Sequence, residues 1–146
     1  MPHRTIASVL AAALACAGAR LALADSFALI GNAKEPTAKL SRSDVKALYT
    51  GKAKTLGGSA AIVVIRPEAD APFTQFVDQV FGIPTKTLLA KIHQEVFKGE
   101  MTTPLKATSD DDVVRLVSGA PGTLGVVSAE AAGHLPTTVH LIGIGG

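Results

Sequence analysis

Arg66 is the residue whose type and position most favour ligand chemistry. It directly follows an apolar, β-branched run at residues 60–65 and stands four residues before Asp70, where a helical pattern begins. Arginine presents a planar, permanently charged fork, and a helix N-terminus presents free backbone N–H groups, so the two together form a place where anions bind. A solvent-exposed arginine at the end of a strand is the plainer interpretation, and the sequence leaves both open.

No other set of residues has the spacing of a catalytic or metal site. The three histidines after residue 24 lack the HExxH and HxH spacings of metal ligands, and no GxSxG sequence supplies a nucleophile. Three consecutive aspartates at 110–112 follow Ser109 and fit the start of a helix better than the alternating spacing of a calcium loop. We therefore expect no catalytic residue, no metal ion and no cofactor, and we do not expect an enzyme.

Hydrophobic periodicity predicts the elements that would position Arg66. The clearest helix begins at Asp70 and ends at Gly82, and its apolar residues recur at i, i+3, i+4, i+7 and i+8: Phe73, Phe76, Val77, Val80 and Phe81. The continuous apolar run before Arg66 indicates a strand buried on both faces.

The same signals predict the rest of the fold. Strands are expected at residues 27–30, 123–127 and 139–144, helices are expected to begin after Ser41, Pro84 and Ser109, and residues 55–59 form a glycine-rich turn. This alternation predicts an α/β sandwich with a mixed sheet.

The first 24 residues have the order of a secretion signal. A short basic start precedes an apolar stretch at residues 6–17, and small residues ending in Ala22-Leu23-Ala24 precede Asp25. The stretch is shorter than the roughly 20 residues of a membrane-spanning helix, so a permanent anchor is the weaker alternative; lipid attachment at Cys16 is another. We predict a signal peptide at 1–24 and one domain at 25–146, located in the periplasm without a membrane span.

Composition argues against a nucleic-acid partner. The predicted cleavage removes two of the 14 basic residues, Arg4 and Arg20, so the remaining Lys+Arg balance the 12 Asp+Glu. A neutral domain with one Tyr, no Trp and no long basic run lacks the electrostatic footprint of a nucleic-acid binder. Because Cys16 is the only cysteine, a hydrophobic core rather than a disulfide must stabilise the domain.

Short motifs are spaced through most of the chain. They are Leu40-Ser41-x-x-Asp44-Val45-x-x-Leu48-Tyr49-x-Gly51-Lys52, the strand ending at Arg66, Phe76, Val96-Phe97-x-Gly99, Pro104, Ser109, Asp112-Val113-Val114-x-x-Val117 and Pro121-Gly122-Thr123-Leu124-Gly125-Val126-Val127. Their order and spacing resemble the phosphate-type periplasmic substrate-binding proteins of ABC transporters. In that family two α/β lobes close over an oxyanion, so the resemblance implies a fold like one lobe of a type 2 periplasmic binding protein.

The resemblance also implies a site with changed chemistry. Family members commonly place Ser-Gly-Thr at the helix start after the strand-end arginine, whereas the aligned residues here are Asp70-Ala71-Pro72. An ionised Asp70 would accept the helix N–H groups itself and repel an anion, and Pro72 removes a donor. The candidate ligand-binding residues are Arg66, Asp70 and Thr74, and we expect that free phosphate does not bind tightly.

Two functions follow from these expectations. The first is a solute-binding component of an import system, with a small anion as ligand and an ABC permease as partner; it predicts an open pocket at the strand ends. The second is an interaction module of the cell envelope, in which a partner chain or a second copy of this chain replaces the missing lobe. It predicts an exposed apolar patch beside Arg66.

Overall fold

The computed structural model describes residues 26–145, so the predicted signal peptide and Cys16 lie outside the described residues. The elements within this range are β1 (Phe27–Asn32), β2 (Lys39–Ser41), α1 (Arg42–Tyr49), β3 (Thr55–Leu56), β4 (Ser59–Ala60), β5 (Ile62–Ile65), α2 (Ala71–Phe81), α3 (Thr85–Phe97), β6 (Leu105–Lys106), α4 (Asp110–Ser118), β7 (Thr123–Ser128), α5 (Ala129–Ala132) and β8 (Val139–Gly145). The predicted α/β class is confirmed.

Six strands form one mixed sheet in the order β2-β8-β1-β7-β5-β6. Strand β5 lies parallel to both β7 and β6, and β2 lies parallel to β8, whereas β1 runs antiparallel to β7 and β8. The carboxyl ends of β5, β6 and β7 therefore meet at the same edge of the sheet. Ligands of open α/β sheets bind outside such an edge.

Helices cover both faces of the sheet, which explains the continuous apolar sequence of β5. On one face the core contains side chains of α1, α2 and α3, including Tyr49, Phe73, Phe76 and Ile92. On the other face a second core contains side chains of α4 together with strand residues: Ile30, Val64, Val113, Val117 and Val127. Strands covered on both sides are apolar at successive positions, as the sequence predicts.

Side-chain caps fix where α1 and α2 begin. Ser41 and Asp44 form a reciprocal capping box at the start of α1, and the Asp70 carboxylate accepts the Phe73 N–H at the start of α2. Helix α2 ends at Gly82, whose backbone is left-handed with φ of 67°. The predicted bounds of the clearest helix are confirmed.

The glycine-rich segment before β5 differs from its predicted form. Residues 55–60 form the β3–β4 hairpin, and its two-residue turn is Gly57-Gly58, with φ of 58° and 91°. Positive φ at both turn positions matches the twist of paired strands, which is why glycines occupy them. The short strands β2 and β6 were also not predicted, because two or three residues carry too little periodic pattern to detect.

Candidate functional site

Arg66 lies at the sheet edge directly after β5, and its side chain is buried, with 6% of the residue exposed. Its Nε lies 2.9 Å from Asp70 Oδ2, an ion pair that is not aligned as a hydrogen bond. Its Nη1 donates to Asp110 Oδ1 at 2.7 Å and to the Val126 carbonyl oxygen at 3.1 Å. Arg66 is therefore not the solvent-exposed arginine of the plainer interpretation, and two carboxylates compensate its charge.

Asp110 is the second carboxylate of this cluster. Beyond the contact with Arg66, its Oδ1 accepts the Ser128 N–H at 3.0 Å and its Oδ2 accepts the Ser128 hydroxyl at 2.7 Å. Partial burial alone would raise the pKa of Asp110, but hydrogen bonds from Arg66 and Ser128 outweigh it and hold the pKa below its ordinary value. Asp110 is thus an anion at neutral pH.

The Asp70 carboxylate caps the N-terminus of α2 and places a second negative charge next to Arg66. The oxygen that faces Arg66, Oδ2, also accepts the Phe73 N–H at 3.1 Å. The preceding helical position is Pro72, which has no N–H to offer. The helix donor that an external anion would use therefore already has an internal partner.

Thr74 does not join this cluster. Its hydroxyl lies 2.8 Å from the Asp70 carbonyl oxygen and 3.2 Å from the Glu68 carbonyl oxygen, so it is bound to the backbone of its own helix start. Of the three candidate ligand-binding residues, the structure brings Arg66 and Asp70 into contact and leaves Thr74 one turn away on an exposed face of α2.

A cavity of about 260 Å³ opens beside Arg66 at the carboxyl ends of β5 and β6. Its lining is predominantly apolar and comes from the strand ends and from α3: Ile65, Arg66, Pro67, Leu89, His93, Lys106, Ala107 and Thr108. An open pocket at the strand ends is therefore present, but it offers few hydrogen-bond donors to a small polar anion.

Asp110 and Ser128 are site residues that the sequence interpretation missed. The aspartates at 110–112 look like ordinary helix-start residues, and nothing in their spacing shows that one of them faces an arginine 44 positions earlier. The detectable signal was topological: residues that follow parallel strands share one edge of the sheet, and Arg66, Asp110 and Ser128 each lie at or just after such a strand end.

The cluster is an internal ion network and shows no arrangement suited to a metal. Between residues 26 and 145 there is no group of three or more His, Cys, Asp or Glu side chains positioned to hold a metal ion. The geometry instead describes a cation already paired with two anions, next to an apolar cavity.

Several solved structures that share this fold carry descriptions as phosphate-transport or phosphate-binding proteins. A phosphate ABC transporter substrate-binding protein from Clostridium perfringens, solved with bound phosphate, superposes with a TM-score of 0.61 at 19% identity over 82% of this chain and 45% of its own. An ABC-type phosphate transport receptor from Vibrio cholerae gives 0.61 at 17% identity, covering 82% and 46%. PstS from Borrelia burgdorferi gives 0.60 at 14% identity, covering 82% and 47%.

These likenesses confirm the predicted fold. The chain spans less than half the length of the structures that it matches, which agrees with the resemblance to one lobe. At this identity the likeness describes the fold alone. No protein-family model matches the sequence, and the curated proteins contain no significant match.

Proposed function

We propose that this chain is an exported solute-binding-type domain that does not bind free phosphate tightly, because its own carboxylates occupy the anion position beside Arg66. The observation that carries the proposal is the pair of carboxylates on one buried guanidinium: Asp70 Oδ2 lies 2.9 Å from Nε and Asp110 Oδ1 lies 2.7 Å from Nη1. A fold shared with phosphate-transport proteins supports the relationship, and the ion cluster supports the loss of tight binding.

Electrostatic repulsion would oppose phosphate at this position. Two like unit charges about 4 Å apart repel by about 4 kcal/mol at the effective dielectric constant near a protein surface. An incoming phosphate would meet two such carboxylates, or would have to displace one of them from Arg66. The α2 N-terminus would not compensate, because Asp70 already accepts the Phe73 N–H.

Calorimetric titration with inorganic phosphate tests the proposal. We expect no submicromolar dissociation constant for the wild type. The variant Asp70→Ser, Ala71→Gly, Pro72→Thr removes one carboxylate and returns hydroxyl and N–H donors to the start of α2, so we expect it to bind phosphate at least about tenfold more tightly. Asp78→Ser is the matched control, because it removes an exposed carboxylate from the same helix. Submicromolar binding by the wild type would refute the proposal.

Export through the N-terminal segment is the second part of the proposal. The order of basic, apolar and small residues before Asp25 supports it. Within residues 26–145 no helix is long and apolar enough to cross a membrane. The intact mass of the exported protein distinguishes cleavage after Ala24 from lipid attachment at Cys16. An ABC permease is the partner that the shared fold suggests for a transport role.

One observation favours the second function, an interaction module of the cell envelope. The cavity beside Arg66 is predominantly apolar, and an apolar concave surface suits the side chain of a partner protein better than a small inorganic anion. If calorimetric titration detects no phosphate binding to a domain that retains this cavity, the result would fit the interaction role.

A further inference from the structure

The face of α3 that lines the cavity beside Arg66 also carries an exposed aromatic side chain. Leu89 and His93 line the cavity, and Phe97 follows at the next i+4 position, so the three residues share one face of the helix. Phe97 is 93% exposed, more than any other large hydrophobic residue of the described chain. At 1.5 Å per residue, Phe97 lies about 12 Å along the helix from Leu89, too far for one small ligand to cover both sites.

The same cavity borders an open edge of the sheet. Strand β6 ends the sheet and pairs only with β5. The register Ile65↔Lys106 and the bond from the Ala107 N–H to the Ile65 carbonyl direct the backbone of Leu105 and Ala107 toward β5. Because N–H and C=O groups alternate along a strand, the Lys106 N–H and C=O face away from β5 and offer one donor and one acceptor to another strand.

One cation that lines the cavity has no ion-pair partner. The Lys106 side chain contributes to the lining and takes part in none of the ion pairs among residues 26–145. The nearby carboxylates of Asp70 and Asp110 are both directed at Arg66. An occupant that carries negative charge beside an apolar group would therefore complement this cavity.

We propose that the surface formed by Leu89, His93 and Phe97 of α3 with residues 106–108, called here the α3–β6 surface, binds an extended acidic segment of another protein. The segment pairs its backbone with the outward groups of Lys106 and places one apolar side chain in the cavity. A second apolar side chain covers Phe97, and a carboxylate of the segment meets Lys106. The proposal deepens the interaction function above and is independent of whether phosphate binds at Arg66.

The test uses a defined probe, a nine-residue peptide of alternating Asp and Leu with blocked ends, titrated into the purified protein and followed by amide NMR shifts. We expect the shifts to concentrate at residues 89–97 and 105–108. Lys106→Glu reverses the lysine charge and should weaken binding by about tenfold. Phe97→Ser removes an apolar contact and should weaken it by about fivefold.

Lys106→Pro gives a sharper result. Relative to Lys106→Ala, which removes the lysine charge alone, it also deletes the outward N–H of β6, while the bonds from Leu105 and Ala107 to β5 remain. Lys106→Pro should therefore weaken the peptide more than Lys106→Ala does, without weakening a ligand that uses the cavity alone. Two matched controls lie far from this edge. Leu141→Ser removes the other large hydrophobic residue that is exposed within residues 26–145, and Lys39→Glu reverses a charge on the opposite edge strand β2. Both should bind the peptide like the wild type.

Three outcomes would overturn the proposal. One is the absence of peptide binding, or binding that the two controls weaken as much as Lys106→Glu does. Another is saturation of the cavity by octanoate without any response to the peptide, which would identify a small amphipathic anion as the occupant. The third is concentration-dependent dimerisation abolished by Phe97→Ser, which would assign the surface to a second copy of this chain. Submicromolar phosphate binding that is abolished when Arg66 is substituted would contradict the proposed function. It would leave the peptide result unaffected.

Discussion

Two buried charged side chains in this fold are stabilised in opposite ways. Arg66, with 6% of the residue exposed, contacts groups that lie 4, 44 and 60 positions away along the chain: Asp70, Asp110 and the Val126 carbonyl. Glu35, with 1% exposed, takes part in none of the ion pairs found between residues 26 and 145. Its carboxylate accepts the N–H of Thr37 at 2.9 and 3.0 Å and the Thr37 hydroxyl at 2.6 Å.

The difference shows what each charge does for the fold. Glu35 is satisfied by a neighbour two residues away, so it rigidifies one loop and packs against the β3–β4 hairpin at Gly57. Arg66 joins the end of β5 to the starts of α2 and α4 and to β7, so its contacts hold the strand-end region together. Removing the local charge should loosen a loop, whereas removing the long-range one should destabilise the whole domain.

Arg66→Met should have the largest effect. It removes the cation and leaves Asp70 and Asp110 facing each other, partly buried and without their shared partner. Breaking such a pair costs about 3 kcal/mol of unfolding free energy, which urea denaturation followed by circular dichroism would measure.

The control for Arg66→Met also removes the two carboxylates that this substitution leaves unpaired. Arg66→Met combined with Asp70→Asn and Asp110→Asn leaves no unpaired carboxylate, so it should recover part of the lost stability. A single Arg66→Met variant within about 0.5 kcal/mol of wild type would show that the long-range cluster does not stabilise the fold, and the contrast with Glu35 would fail.

Gly57→Ala tests the local charge. A Cβ at Gly57 would lie 1.8 Å from Glu35 Oε1, and the residue has φ of 58°, so the substitution combines a clash with a strained backbone. We expect a loss of about 2–3 kcal/mol in thermal or urea unfolding.

Gly58→Ala separates the two causes. Gly58 also has positive φ, at 91°, but a Cβ there meets nothing within 4 Å, so it should cost only the backbone strain, about 1 kcal/mol. The excess cost of Gly57→Ala should disappear when Glu35 is replaced by alanine. Equal costs for the two glycine variants would mean that Glu35 does not hold the hairpin in place.

The same division between local and long-range contacts explains how far the sequence predicted this structure. The capped start of α2 at Asp70 and its end at Gly82 depend on neighbouring residues, and both predictions are confirmed. Strand β6 and the contact of Asp110 with Arg66 depend on which strands lie side by side, and a single sequence carries little of that information. The replacement at Asp70-Ala71-Pro72 could be interpreted from the sequence, because a helix cap depends on neighbouring residues. The contact of the second carboxylate, Asp110, with Arg66 could not be predicted in this way.

Asp110→Asn sharpens the comparison through its pH dependence, with the smallest effect of the three. Hydrogen bonds from Arg66 and Ser128 hold the pKa of Asp110 below its ordinary value.

A lowered pKa stabilises the fold above the unfolded-state pKa of about 4, and that contribution disappears as the pH falls through the folded-state value. Wild type should be more stable than Asp110→Asn by about 1–2 kcal/mol at pH 7, and the difference should shrink as the pH falls below about 4. Urea midpoints across this range measure it, with Asp111→Asn as the control, because Asp111 is exposed and takes no part in these hydrogen bonds. A difference that stays constant with pH would mean that the lost contact is steric, so that Asp110 holds Arg66 by shape rather than by charge.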